Sequence, residues 1–314
     1  MVGTARQGRP MMSADNRLPD TLPKSLRSTL VAAKRLIDER ITQVLAAIPE
    51  ADAVSVAKYI SLGGKRLRGL ITLETAKILG GSWEDALDAA AAVELVHSAS
   101  LALDDIIDGD VHRRGKLAAW VTYGVRKTVM VSNLLIPLAQ QLVYERYGEK
   151  ALEKTVRAWL DISRGEVLDA FMDPQRVEPD IYLEIAKLKT GTLFKLAMEL
   201  GAIAAGKDHL IATLSQYGEI LGTLYQIIDD MNDLKAKPNE PGIILFRRWI
   251  GDENGMEKAY AYIRRILTKI RSLEAKVDEE TEGKYRESLL REIPRLFLLI
   301  GGIPSEVSIE LEAL

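Results

Sequence analysis

The chain has 314 residues, of which 47% are hydrophobic and 28% charged, and its formal net charge is −3 at pH 7. The charges are interspersed rather than pooled into a basic face, so we expect no nucleic-acid partner. Cysteine is absent, which excludes disulfides, thiolate metal sites and cysteine nucleophiles and fits a cytoplasmic protein. The most apolar stretch, residues 89–103, contains Glu94 and His97, and we expect it to fall short of a membrane span.

Helical spacing of apolar residues dominates the chain after its N-terminal segment. Residues 1–24 carry proline, glycine and charged side chains without periodicity, which predicts a flexible tail. Beyond them the periodicity predicts helices over residues 25–47, 53–62, 70–79, 83–108, 127–147, 152–171, 180–205, 209–234 and 256–277. The connections are short and no linker divides them, so we expect one all-α domain, residues 25–314, in which successive helices are antiparallel neighbours.

Two clusters of the form Asp-Asp-x-x-Asp lie inside predicted helices and follow apolar residues typical of a core. The clusters are Asp104, Asp105 and Asp108, and Asp229, Asp230 and Asp233. Side chains at i and i+4 share a helix face, and three like charges within five residues destabilise a helix unless a cation compensates them. One such cluster is usually a solvated surface, but two on buried helices predict carboxylates that face each other across a cavity. Hard oxygen ligands without thiolates favour Mg²⁺, which substrate phosphates usually complete.

Three basic segments accompany the carboxylates. Residues 63–68, GGKRLR, place three cations at a predicted helix N-terminus, where bound anions are favoured, although a solvated basic turn fits as well. Residues 112–116, HRRGK, closely follow the first cluster and would serve either as ion-pair partners or as phosphate ligands. Residues 189–191, KTG, interrupt an apolar helical run, which indicates a lysine that faces the interior.

Taken together, these segments resemble the trans-isoprenyl diphosphate synthases, also called polyprenyl synthetases. The resemblance runs from about Gly63 to Asp233 and is carried by GGKRLR, ELVHSASLALDDIIDGDVHRRGK, KTG and LGTLYQIIDDMND. It implies an isoprenoid synthase fold, a single large helical bundle around a deep central cavity, and usually a homodimer. It also implies a Mg²⁺-dependent prenyltransferase that condenses isopentenyl diphosphate with an allylic primer (dimethylallyl, geranyl or farnesyl diphosphate) to an all-trans polyprenyl diphosphate.

The resemblance assigns a role to each matched residue. The six aspartates would bind Mg²⁺ on opposite walls, with the first cluster on the allylic diphosphate. The residues that match the site of isopentenyl diphosphate are Lys65, Arg68, His97 and Arg114. Arg113 and Lys189 match cations on the allylic diphosphate, and Thr190 and Gln226 match groups near the developing carbocation. For His97 alone, a hydrogen-bonded core histidine is the alternative.

Product length depends on the residues beneath the first cluster. Ala99 and Ser100 lie one helical turn before Asp104, and Val96 lies below them. In this family a bulky aromatic residue at either of the first two positions closes the cavity early. Small residues here predict a product of about twenty carbons or more, and a phenylalanine at position 99 or 100 should shorten it towards fifteen. The alternative is that small residues only permit close helix packing.

Three features depart from the family pattern and leave other functions open. Residues 234–249 look shortened and lack the usual Lys and Asp, so Lys235, Lys237, Arg247 or Arg248 would have to substitute. Besides these, Leu103 stands where family members often have histidine, and Gly69 stands where the family has proline. One alternative is therefore a weakly active or non-catalytic prenyl-diphosphate-binding subunit of a hetero-oligomeric synthase, although such a subunit has no physical reason to keep six mutually repelling carboxylates. Another is a terpene cyclase or head-to-head synthase, which has no need of the cations that match the site of isopentenyl diphosphate.

Overall fold

The computed structural model describes residues 24–251, 255–304 and 306–307. Within these residues the chain forms thirteen α-helices and one two-stranded hairpin. The helices are α1 Lys24–Leu45, α2 Ala51–Ser61, α3 Leu67–Ile78, α4 Trp83–Ile107, α5 Ala119–Tyr123, α6 Val125–Tyr147, α7 Glu149–Phe171, α8 Ile181–Ala186, α9 Thr192–Ala204, α10 Ile211–Ala236, α11 Pro241–Ile250, α12 Gly255–Glu280 and α13 Glu292–Ile300. The antiparallel strands are β1 His112–Arg113 and β2 Lys116–Leu117. The predicted tail lies outside the described residues except for its last residue, where α1 begins.

The all-α prediction is confirmed, and every predicted helix has a counterpart. The predicted helix over residues 180–205 is divided, because a π-helical turn, Lys187–Gly191, separates α8 from α9. Three short helices were missed, α5, α11 and α13, together with the hairpin. Segments this short carry little periodicity of their own, and packing against longer elements stabilises them. The third helix begins at Leu67, three residues earlier than predicted.

The helix that carries the first aspartate cluster, α4, runs through the centre of the molecule. Ser82 and Asp85 form a capping box at its start. Four consecutive buried alanines, residues 89–92, follow within the helix, and small side chains allow α3, α6 and α9 to pack closely around it. By length and composition α4 could span a membrane, which corrects the expectation from sequence. However, 72% of its apolar window is buried inside the protein, as in the core helix of a globular bundle.

Glycines bring the helix with the second aspartate cluster, α10, into close contact with its neighbours. A Cβ atom on Gly218 would lie 2.5 Å from the carbonyl oxygen of Phe194 in α9, and one on Gly222 would lie 2.8 Å from Cα of Gly191. Only glycine permits these backbone approaches. One core of buried apolar residues extends from Leu30 to Val307 among the described residues, and the single domain over residues 25–314 stays a prediction.

Candidate active site

The first aspartate cluster lies in the last turn of α4, beside an acidic face of α7. Lys189, from the π-helical turn, forms ion pairs with Glu166 at 2.8 Å and Asp169 at 2.7 Å. Burial and the nearby Glu166 raise the pKa of Asp104 to about 8. Burial opposes the charge of Lys189, but Asp169, Glu166 and Asp104 outweigh it and raise the pKa of this lysine. A single lysine therefore faces several carboxylates, and the negative end of the α4 dipole adds to the excess negative charge.

The middle carboxylate of this cluster is bonded to the hairpin. Asp105 is buried, and its Oδ1 accepts a 2.6 Å hydrogen bond from Nε of Arg113 in β1, which also pairs with Asp110 at 3.3 Å. Arg114 and Gly115 form the tight turn of the hairpin, and both have positive φ, 54° and 76°. This turn directs the two neighbouring arginines to different places. Arg113 is thus an ion-pair partner within the cluster, whereas Arg114 lies against Gly64.

The second cluster lies near the end of α10, and its middle carboxylate, like that of the first cluster, is bonded by other protein groups. Asp229 is open to solvent and Asp233 is half-buried. Between them, Asp230 accepts hydrogen bonds from the Tyr182 hydroxyl at 2.6 Å and from Nε2 of Gln226 at 3.0 Å. Although Asp229 is partly exposed, nearby protein atoms and the like charge of Asp233 raise its pKa to about 6, and burial raises the pKa of Asp230 to about 7.

The two clusters lie within electrostatic range of the same cation, Lys237, and the space between them is called the cleft below. Burial raises the pKa of Asp108 and of Asp229, and the ammonium of Lys237 acts in the opposite direction on both. Lys237 follows α10 directly; its Nζ is 2.9 Å from Glu240 and 3.9 Å from Asp233. Four basic residues could substitute in the altered segment. Of these, Lys237 is the one whose charge acts on the pKa of carboxylates in both clusters among the described residues. By contrast, Arg248 donates to the carbonyl oxygens of residues 174 and 177, and Arg247 to that of residue 234.

A buried ionic network holds the GGKRLR segment in place. Arg66 is 2% exposed, has a φ of 55° and bonds Asp38 at 2.7 Å and Glu94 at 3.4 Å. Glu94 also accepts a 2.9 Å hydrogen bond from the backbone N–H of Gly69. This contact explains the departure from proline, because proline has no N–H to donate, and a Cβ atom here would lie 2.7 Å from Ile37. Arg66 is therefore a structural residue, while its neighbours face the cleft.

Arg68 and Arg114 lie near each other and form no ion pair with a carboxylate among the described residues, although the charge of Glu94 acts on both. Arg68 stacks 4.7 Å from the ring centroid of Phe194, and its buried Nε has no hydrogen-bond partner. Its Nη1 lies 3.1 Å from Nε2 of His97. Burial, together with Arg68 and Arg114, lowers the pKa of His97 well below its ordinary value, so the imidazole is neutral and accepts from Arg68. Burial and nearby Arg66 lower the pKa of Arg114 to about 10. Cations held together in this way fit a polyanionic ligand.

The small residues predicted to set product length lie in a helix contact. Ala99 and Val96 are 0% exposed, as are most of the alanines below them on α4, and Ser100 retains 8%. The alternative interpretation, close helix packing, therefore describes Ala99 and Val96 in this structure. Ser100 remains the position closest to the cleft, and its hydroxyl is bonded to the carbonyl oxygen of His97 at 2.9 Å. The deep cavity stays a prediction.

The carboxylates that line the cleft fit Mg²⁺ by their chemistry. Among the described residues, no three His, Cys, Asp or Glu side chains form a complete metal site by themselves. Mg²⁺ does not require one, because one or two carboxylates hold it and water and phosphate oxygens complete its shell. The first and last members of each cluster are suited to this role, since each is accessible from the cleft: Asp104, Asp108, Asp229 and Asp233. The middle members, Asp105 and Asp230, are instead bonded by protein groups.

Several residues of this site were missed by sequence reasoning. They are Glu166 and Asp169 on α7, which hold Lys189, and Tyr182 on α8, which holds Asp230. The spacing of Glu166 and Asp169, three residues apart, places both on one helix face and was the available signal. Tyr182 carries no such signal, because a tyrosine in an apolar run is ordinary core material.

The raised pKa of Asp104 predicts an unusual pH dependence of the free energy of unfolding. The folded chain holds its proton up to about pH 8, whereas the unfolded chain releases it near the ordinary value of 3.8, so the folded state binds more protons between these values. In metal-free protein, the free energy of unfolding should therefore fall as pH rises through this window, and Asp104→Asn should weaken the fall. Urea unfolding with a chelator at about pH 5 and about pH 8 measures it. Equal pH slopes in the two proteins would contradict the prediction.

Comparison with known proteins shows the family to which this chain belongs. The sequence profile of the polyprenyl synthetase family matches residues 52–245. The chain is 40% identical over 208 residues to a hexaprenyl pyrophosphate synthase from Saccharolobus solfataricus, covering 66% of this chain and 72% of the relative. It is 31% identical over 274 residues to a geranylgeranyl pyrophosphate synthase from Geoglobus acetivorans, covering 84% and 82%.

The fold is similar to that of solved enzymes as well. The crystal structure of a geranyltranstransferase from Thermotoga maritima superposes with a TM-score of 0.69 at 27% identity, covering 89% of this chain and 98% of that one. The matched segment contains both aspartate clusters and the cations that face them. The chain therefore belongs to the polyprenyl synthetase family, the trans-isoprenyl diphosphate synthases, and is an enzyme of the trans-prenyltransferase class.

Proposed function

We propose that this enzyme uses Mg²⁺ to condense isopentenyl diphosphate with an allylic prenyl diphosphate, and that its product has about twenty carbons or more. The observation that carries the proposal is the division of the cleft. Two carboxylate clusters would form one pair of walls, and Arg68 and Arg114, which form no ion pair with a carboxylate among the described residues, would lie beside them; the charge of Asp229 acts on Arg68. A condensation needs two diphosphate sites of this kind, one to ionise a substrate and one to hold the other intact.

The acidic side of the cleft supports ionisation of the allylic substrate. Asp104 and Asp108 from α4, and Asp229 and Asp233 from α10, would hold Mg²⁺, which supplies electrophilic stabilisation of the departing diphosphate. Lys189 would contact the same diphosphate, and its ion pairs with Glu166 and Asp169 hold its ammonium at the cleft. Cations arranged before the reaction stabilise the charge that develops on the leaving group.

The other residues hold the second substrate and protect the cation. Arg68, Arg114 and Lys65 would bind the diphosphate of isopentenyl diphosphate, with neutral His97 orienting Arg68 through its Nε2. The allylic cation would form near Thr190 and Gln226, whose side chains are hydrogen-bonded to each other at 2.5 Å. The double bond of isopentenyl diphosphate then attacks the cation, and no side-chain nucleophile takes part.

The structure bears differently on the two alternative functions. A terpene cyclase or head-to-head synthase has no use for the unpaired cations Arg68 and Arg114. A non-catalytic subunit was suggested by the altered segment after the second cluster. In that segment Lys237 lies 3.9 Å from Asp233 and acts electrostatically on Asp108, and α11 packs its Phe246 and Trp249 on Tyr182. The segment is thus ordered around the site, which favours an active enzyme.

One incubation separates the three functions. Purified protein is mixed with Mg²⁺, labelled isopentenyl diphosphate and farnesyl diphosphate, and the products are resolved by chromatography. Elongated prenyl diphosphate supports the proposal, and a reaction without Mg²⁺ serves as the control. Cyclised or head-to-head products that lack the label would support the second function. Binding of farnesyl diphosphate without turnover would support the third.

Ser100→Phe tests the proposed product length. A phenylalanine at this position, one turn below Asp104, should occupy the space that the growing chain enters and shorten the product towards fifteen carbons. The diphosphate sites lie above it, so turnover should be largely kept. Ala99→Phe is a less clean variant, because Ala99 is fully packed and added volume there costs about 1–3 kcal/mol. The same product distribution in wild type and Ser100→Phe, or a wild type that stops at fifteen carbons, would contradict the prediction.

We also propose a homodimer. Large apolar side chains are exposed along one face of α6, including Met130 at 63% and Tyr144 at 53%, and along one face of α7, including Leu160 at 58% and Phe171 at 86%. Contiguous apolar surface of this kind is typical of a protein interface. Sedimentation analysis tests the proposal, since a species of 34.8 kDa would be a monomer.

A further inference from the structure

Tyr182 lies behind the second aspartate cluster and bonds its middle member. Its hydroxyl donates to Oδ2 of Asp230 at 2.6 Å, and Oδ1 of the same carboxylate accepts from Nε2 of Gln226 at 3.0 Å. Both oxygens of Asp230 are therefore engaged by protein groups. The carboxylate is connected to the protein interior rather than presented to the cleft as Asp229 is.

This arrangement determines which end of the Gln226 amide faces which neighbour. When Asp230 is ionised its carboxylate only accepts hydrogen bonds, so Gln226 directs its NH₂ group towards Oδ1 of Asp230, as in the structure. Its carbonyl oxygen then faces the other way, where it accepts a hydrogen bond from the Thr190 hydroxyl at 2.5 Å. The amide orientation follows from the whole chain of hydrogen bonds, which begins at Tyr182.

The ring of Tyr182 is itself held by α11. Its centroid lies 5.1 Å from that of Phe246 and 5.1 Å from that of Trp249. Tyr182 is 3% exposed, Phe246 0% and Trp249 2%, so the three rings form a buried stack that leaves the tyrosine little freedom to turn. The hydroxyl is thereby aimed at Asp230.

We propose that Tyr182 is a positioning residue for prenyl transfer: it holds Asp230 as a double acceptor, and Asp230 in turn orients the carbonyl oxygen of Gln226 towards the space beside Thr190. The role rests on the proposed function, in which the allylic cation forms in that space. A carbonyl oxygen carries partial negative charge and stabilises an adjacent cation, whereas a reversed amide would present its NH₂ group and oppose it. Rate therefore depends on an aromatic hydroxyl that touches no substrate.

The test compares two tyrosine-to-phenylalanine variants in the same aromatic cluster. Tyr182→Phe removes the hydroxyl and keeps the ring stack. Tyr262→Phe is the matched control, because its ring lies 5.3 Å from that of Trp249 and it has no hydrogen bond to Asp230. A hydrogen bond to a charged group is commonly worth about ten- to a hundredfold, so kcat of Tyr182→Phe should fall roughly tenfold. The KM of both diphosphates, and the Mg²⁺ and inorganic diphosphate affinities measured by calorimetry, should stay near wild type.

A double-mutant cycle shows whether Tyr182 acts through Gln226. In a Gln226→Ala background the amide is absent, so adding Tyr182→Phe should lower kcat by less than about twofold. If the losses of kcat in the two single variants multiply in the double variant, the role is overturned. An equal loss of kcat in Tyr262→Phe would also overturn it, because such a loss would indicate an effect of general packing. Weakened Mg²⁺ binding in Tyr182→Phe would also overturn it, since Asp230 would then be a metal ligand. If the wild type elongates its substrate and the kcat of Tyr182→Phe is unchanged, only the role of Tyr182 is overturned. If the wild type does not elongate, both this role and the proposed function are overturned.

Discussion

Replacing Asp104 or Asp229 by alanine should lower turnover by roughly a hundredfold or more, the usual cost of losing a preorganised electrostatic contact in the transition state. Each carboxylate is accessible from the cleft, and neither forms an ion pair with another described residue. Both carboxylates also have raised pKa values, because burial disfavours their charge. Above about pH 8, where both groups are ionised, removing either one relieves repulsion, so the melting temperature there should hold or rise while activity is lost.

Steady-state kinetics across a Mg²⁺ titration, with thermal unfolding of the same samples, checks this prediction. Asp88→Ala is the matched control, because Asp88 is a carboxylate on the same helix that pairs with Arg40 outside the cleft. It should keep its activity and lose a little stability. Wild-type rates in Asp104→Ala and Asp229→Ala would contradict the metal assignment, and a parallel loss of folding would mean that these carboxylates are structural.

Arg114→Gln should weaken binding of isopentenyl diphosphate by roughly ten- to a hundredfold, since a charge-assisted contact is worth about 1.5–3 kcal/mol. Among the described residues Arg114 forms no ion pair with a carboxylate, and burial and nearby Arg66 outweigh the favourable effect of Glu94 on its charge. The bound diphosphate would be what compensates it. Glutamine keeps most of the side-chain length and tolerates the positive φ no worse than arginine does, so the hairpin should persist.

The measurement is the KM of each substrate, together with the melting temperature. Only the KM of isopentenyl diphosphate should rise, and the melting temperature should not fall, because like-charge repulsion is reduced. Arg126→Gln, at an exposed arginine on α6, changes net charge equally and controls for long-range attraction. If Arg126→Gln has the same effect, or if Arg114→Gln changes only stability, the arginine is not a diphosphate ligand.

The sequence predicted the same kinds of contact for the adjacent cations Arg113 and Arg114, but their surroundings in the structure differ. The sequence HRRGK left ion pairing and phosphate binding open for both. The hairpin turn gives Arg113 the ion-pair partner Asp105, with an exposed edge towards the cleft, and places Arg114 among cations. Its role on the allylic diphosphate therefore stays a prediction, whereas its ion pair is observed.

The sequence by itself determined the positions of the long helices, the two aspartate clusters and the basic segments. Each of these features depends on residues only a few positions apart. Apolar spacing fixes which face of α4 or α10 is buried, and i, i+4 geometry fixes which aspartates share a side. The family resemblance rests on the same local segments. The short helices α5 and α11 were not predicted from the sequence, because packing rather than periodicity stabilises them.

Which carboxylates are free for a metal, and which are bonded by protein, was decided by tertiary structure alone. The partner of Asp230 is Tyr182, 48 positions away, and Lys189 is held by Asp169, 20 positions away on a different helix. Such contacts depend on close approaches at residues like Gly218 and on the π-helical turn that contains Lys189 and Thr190. Nothing in the local sequence encodes these distances, because they arise only when separate helices pack together.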